Sequence, residues 1–128
     1  SDLMQKKHIS RMVITLVAAG AMAFSSLAAA HAHLRASTPA AKAEVTTATD
    51  ALTLTFSEEI EPAFSGVALL DDHQKPVATE KARVASGHKD RLIVSLPQPL
   101  KAGRYQVNWH VLSVDGHKTA GSYRFSVK

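Results

Sequence analysis

From residue 31 onward the chain alternates apolar and polar positions in short runs, without the spacing of an amphipathic helix. Residues 51–57 set Leu52, Leu54 and Phe56 on one face and Thr53 and Thr55 on the other, the pattern of a half-buried strand. The strongest run follows Lys101-Ala102-Gly103, where Tyr105, Val107, Trp109 and Val111 alternate with Gln106, Asn108 and His110. Further strands are expected at 33–37, 66–70, 91–96 and 122–127, with a weaker one at 77–84 whose outward residues are Thr79, Lys81 and Arg83. Turn signals separate them: Thr38-Pro39, the polar stretch from Asp71 to Pro76, Ser86-Gly87-His88-Lys89-Asp90 and Pro97-Gln98-Pro99. About seven short strands at this spacing predict an all-β chain, an immunoglobulin-like Greek-key β-sandwich. No internal repeat or linker divides it.

The first thirty residues obey a different rule. Lys6, Lys7 and Arg11 form a basic start, residues 12–24 an apolar run, and Ala28-Ala29-Ala30 a small-residue cleavage site, so 1–30 is expected to be a signal peptide. The apolar run is shorter than the roughly 20 residues that span a bilayer. The mature chain is therefore expected to be exported and not membrane-spanning. Cleavage after Ala32 is the alternative, and it would remove His31. Residues 31–128 suffice for one sandwich with a modest core.

Cleavage changes the charge. The 15 Lys and Arg and 11 Asp and Glu of the whole chain fall to 12 and 10 once Lys6, Lys7, Arg11 and Asp2 are removed. A net +2, scattered among acids, removes the electrostatic case for a nucleic-acid partner. There is no cysteine, so neither a disulfide framework nor a thiolate metal site is available. All three methionines, Met4, Met12 and Met22, lie in the segment to be cleaved. What remains for a metal is imidazole, carboxylate and amine, a set suited to Cu(II), Ni(II) or Zn(II).

Those groups cluster at two places. Asp115 and His117 stand two apart at a glycine-containing bend after the strongest strand. His31 becomes the N-terminus if cleavage follows Ala30, and then offers its α-amine and its ring together. Both nitrogens are accessible in neutral form near neutral pH, and the Irving–Williams order favours Cu(II) for such a set. His31, Asp115 and His117 are thus the expected copper ligands. A local arrangement competes: a histidine in third position, His33, can wrap Cu(II) or Ni(II) with the amine and two deprotonated amides, at the cost of leaving the first strand. His73 and His88 sit in polar turns without ligand-type neighbours at useful spacing, and His110 points away from the face that buries Trp109.

Taken together, several segments resemble the CopC family of periplasmic copper-resistance proteins. They are His31-Ala32-His33-Leu34 with Ser37-Thr38-Pro39, Phe56-Ser57-Glu58, Phe64-Ser65-Gly66, residues 100–105 with their Ala-Gly turn, and residues 109–117. The resemblance covers essentially all of 31–128. It implies an immunoglobulin-like sandwich in the periplasm that holds one Cu(II) through His31, Asp115 and His117, with Glu58 matching a nearby glutamate. It also implies a CopD-type inner-membrane copper transporter as partner. Members with a second site hold Cu(I) in a methionine-rich loop; residues 67–79 contain no methionine, so a Cu(II)-only binder is what carries over.

Three function classes follow. The expected one is a non-enzymatic Cu(II) binder or carrier in copper homeostasis and resistance. A copper oxidase or monooxygenase needs, in addition, an open coordination position and a substrate surface, and no exposed aromatic platform is evident while Trp109 faces the core. An adhesion or structural module would make cleavage after Ala30 and metal binding both dispensable.

Overall fold

The computed structural model describes residues 32–46 and 48–128; the expected signal peptide, residues 1–30, and His31 lie outside the described residues. Among the described residues nine strands form two sheets: β1 (Leu34–Thr38), β2 (Glu44–Val45), β3 (Ala51–Phe56), β4 (Gly66–Leu70), β5 (Pro76–Val77), β6 (Arg83–Ala85), β7 (His88–Ser95), β8 (Gly103–Leu112) and β9 (Lys118–Val127). The four-stranded sheet runs β1-β3-β7-β6 and the five-stranded sheet β2-β9-β8-β4-β5. All pairings are antiparallel except β2 with β9.

The period-two pattern is what closes the sandwich. Leu52, Leu54 and Phe56 of β3 and Leu92 and Val94 of β7 are buried from one sheet, and Leu69, Tyr105, Val107, Trp109, Val111, Tyr123, Phe125 and Val127 from the other. Removing each such Leu, Val or Phe side chain from water is worth about 1.5–3 kcal/mol. Across the interface the Phe56 and Trp109 rings meet edge to face, with centroids 5.1 Å apart and planes at 68°.

Nine strands replace the expected seven for identifiable reasons. The run expected at 77–84 is two strands on different sheets: Pro76–Val77 pairs with Leu69 and Leu70, while Arg83–Ala85 pairs with β7. The segment between them, Ala78-Thr79-Glu80-Lys81-Ala82, carries no large apolar side chain to hold it against either sheet. The turn expected at 86–90 is only the two residues Ser86-Gly87, with Gly87 at φ +76, and Ala85 already faces His88 across the hairpin. β9 begins at Lys118, four residues before the expected start. It passes through Gly121 because the Trp109 indole lies against that position, where an added Cβ would stand 2.5 Å from Cζ2.

Candidate metal centre

β8 and β9 form one hairpin whose last facing pair is Leu112 and Lys118. Residues 113–117, Ser-Val-Asp-Gly-His, are its loop. The loop is closed by Ser113 N–H donating to the His117 carbonyl at 2.9 Å and Gly116 N–H donating to the Ser113 carbonyl at 2.9 Å. Gly116 takes φ +92, a region that costs glycine little. A neighbouring segment clasps the loop from outside: Val114 N–H donates to the Glu59 carbonyl at 3.1 Å, Glu61 N–H to the Leu112 carbonyl at 2.8 Å, and Ile60 bridges Ser113.

The side chains complete this frame. Asp115 Oδ1 lies 3.1 Å from His117 Nδ1, with the His117 and Asp115 side chains 45% and 42% exposed. Ser113, only 1% exposed, donates its hydroxyl to Asp115 Oδ1 and accepts the His117 N–H at 3.2 Å. The Ser113 hydroxyl, and after it the contact with His117, hold the Asp115 carboxyl below the usual carboxylate range against the opposing effect of partial burial. The pair offers one hard oxygen donor and one borderline nitrogen donor to solvent.

The N-terminal end of the described chain comes to the same strand. Ala32 is buried, and its carbonyl accepts the Thr119 hydroxyl at 3.0 Å. His33 is fixed by both main-chain groups: its N–H donates to Ser57 Oγ at 2.8 Å, and its carbonyl accepts the Ser57 N–H at 2.8 Å. Glu58 follows Ser57 and is half-buried. Among the described residues no three His, Cys, Asp or Glu side chains gather as a metal site. Asp115 and His117 are therefore brought together, while His33 and Glu58 do not complete a three-ligand set with them; His31 lies outside the described residues.

The other histidines stand apart from the pair. The His73 N–H caps Asp71 Oδ1 at 2.8 Å in a turn, and His88 is exposed on β7. The His110 ring lies over Gly66 and lines a shallow cavity of about 330 Å³ with Phe64, Val111, Lys118, Thr119 and Ala120. Phe64, 68% exposed on a single 3-10 turn at Pro62–Phe64, is an aromatic surface that strand alternation did not reveal. Ser113 and Thr119 were missed as well. The only available signal for Ser113 was a hydroxyl two residues ahead of Asp115; the Thr119 contact with Ala32 spans 87 positions and has no local signature.

Comparison with known proteins gives consistent results. The CopC domain family matches residues 34–128. Protein YobA of Escherichia coli strain K12 is 50% identical over 99 residues, covering 77% of this chain and 80% of that protein. The crystal structure of CopC from Methylosinus trichosporium OB3b superposes with a TM-score of 0.71 at 35% identity, covering 77% of this chain and 94% of that one. That of PcoC, a methionine-rich copper resistance protein from Escherichia coli, gives 0.69 at 34% identity, covering 77% and 100%.

Proposed function

Because the chain belongs to the CopC family, whose members include copper-resistance proteins, we propose that it is an exported, periplasmic carrier of one Cu(II), held by the α-amine and ring of His31 with His117 and Asp115. Copper binding in copper resistance is the role its family supports.

The observation that carries it is the Thr119–Ala32 hydrogen bond. Thr119 stands two residues after His117, so the bond ties Ala32 to the strand that leaves the loop carrying Asp115 and His117. The hydrogen bonds of His33 weigh against local wrapping, which would have to deprotonate an amide now donating to Ser57 and pull His33 from its pairing with that residue. The lack of any sulfur ligand after Met22 supports Cu(II) over Cu(I). Asp115 beside His117 supports binding rather than oxygen activation, since a carboxylate there occupies a position that an oxidase keeps open. The CopD-type inner-membrane transporter implied by the resemblance stands as the receiving partner. A loaded protein that keeps its copper in the presence of membranes carrying such a transporter would remove that part of the reading.

Intact mass of the exported protein, followed by electron paramagnetic resonance with one equivalent of Cu(II), tests the site. The expected result is a chain starting at His31 and a nitrogen-rich tetragonal signal. Acid should discharge the metal as pH falls through the histidine range near 6.5. The depressed Asp115 carboxyl is still ionised there, so the nitrogens set the release. Copper retained down to about pH 4, or a mature start at His33, overturns the proposal.

A further inference from the structure

We propose that Phe64, His110 and Lys118 frame a docking notch beside the candidate metal centre, and that it takes an acidic segment of a partner protein through one apolar anchor side chain. The notch stands on exposure, shape and charge; only its use in copper transfer rests on the function proposed above.

Phe64 and Val114 are the large apolar side chains that the described surface leaves exposed. They belong to the two segments that clasp each other at the end of the β8–β9 hairpin. Phe64 is held in place, because Leu112 ties its turn to β8 twice. The Leu112 carbonyl accepts the Glu61 N–H at 2.8 Å, and the Leu112 N–H donates to Ser65 Oγ at 3.1 Å. That hydroxyl in turn donates to the Glu61 carbonyl at 2.7 Å. An aromatic ring already fixed in solvent loses little further freedom when a partner covers it.

Beside Phe64 the surface is low, because small residues flank His110: Gly66 faces it from β4 and Ala120 from β9. The imidazole covers the Gly66 side, where an added Cβ would stand 2.6 Å from Cε1. What remains is the cavity of about 330 Å³ lined by Phe64, His110, Lys118 and Ala120, enough for one large side chain.

The rim selects the occupant. β4, β8 and β9 contain no Asp or Glu, and their outward positions carry Arg104, Lys118 and Arg124. Glu59, Glu61 and Asp115 are near in the chain but do not line the notch. Isologous pairing of two copies across this face would set like charges against each other. A flat lipid surface leaves a concave site unfilled, and one phenylalanine on a single turn lacks the wide apolar face of a helix that lies in a membrane interface. An acidic segment with an apolar anchor meets both the hollow and the cation at its rim.

The test uses the exported protein without metal. In amide NMR at low salt, the capped peptide Glu-Asp-Trp-Asp-Glu should shift residues 64–66, 110 and 118–120, and Lys-Lys-Trp-Lys-Lys should not. Phe64→Ala should weaken the acidic peptide about 10-fold or more, the effect of truncating an interface anchor. Lys118→Glu should reverse the preference between the two peptides. Ala120→Tyr, which fills the hollow from an exposed strand position, should abolish binding. His117→Ala should bind the peptide as wild type does, so the docking surface and the ligand reading fail separately; a peptide lost in that variant sits on the loop and overturns the notch. Shifts that are absent, lie elsewhere or are equal for both peptides overturn it as well, and they decide even if a variant does not fold. So does a Phe64-dependent dimer in sedimentation, which assigns the face to a second copy, or Phe64-dependent retention on phosphatidylglycerol vesicles, which assigns it to lipid.

Discussion

A chain lengthened by one residue ahead of His31 is expected to bind Cu(II) at least about 100-fold more weakly than the mature chain, and His117→Ala to match that loss; this exceeds the usual effect of removing a group that only orients a ligand. An added residue converts the α-amine of His31 into an amide, which no longer offers a lone pair at neutral pH, and separates the two nitrogens that one residue supplies together. His117→Ala removes the imidazole that the proposed site draws from the hairpin loop. Neither change touches the core: residues 113–117 are closed by main-chain bonds, and the His117 side chain is 45% exposed. Thermal stability without metal should stay within about 0.5 kcal/mol of wild type, as for surface changes generally. Competition titration against a copper chelator measures the affinity. An extended protein with undiminished affinity would move the metal away from the terminus.

Phe56→Ala should be the most damaging single truncation. Phe56 is fully buried, stands at the end of β3 and meets the Trp109 ring of the opposite sheet. Deleting its ring leaves a cavity between the sheets, at a cost of about 3–5 kcal/mol. At about 4–8 °C per kcal/mol for a domain of this size, the melting temperature falls by on the order of 15–30 °C. Without disulfides, that is a large share of the roughly 5–15 kcal/mol that keeps a domain folded. Denaturant unfolding with an unchanged slope checks it. A loss under about 1 kcal/mol, far below the range for a buried aromatic, would mean that the two faces do not share this contact.

The strands were legible where large apolar residues alternate strictly, as in Ala51–Phe56 and Gly103–Leu112, because period two alone sets which face is buried. At 77–84 only Val77 and Val84 are large and apolar, and each is captured by a different neighbouring strand, Val77 by Leu69 and Val84 by Leu92, a division that the pattern of 77–84 itself does not carry. Gly121 reads locally as a break; the indole of Trp109 makes it the middle of a strand. The same division runs through the candidate centre. Asp115 and His117 could be named from their spacing at a bend. Ser113 could not, because one serine in a polar loop looks like any other until its burial is known. The attachment of Ala32 to Thr119 is a tertiary fact between residues at opposite ends of the domain.

The hairpin that carries Asp115 and His117 has ten facing pairs and a second partner, β4, along part of β8. β1, which follows His33, pairs on one side only, with β3. Local opening free energies differ accordingly: a long ladder at the centre of a sheet opens near the global cost, and a terminal strand opens far more cheaply. Amide exchange should be slow at Val107, Trp109 and Val111 and fast at His33 and Arg35. Were a metal shared between these elements as proposed, the hairpin would give it a persistent wall and the edge strand a door, and its transfer would need β1 to lift while the hairpin stays formed, without unfolding of the domain.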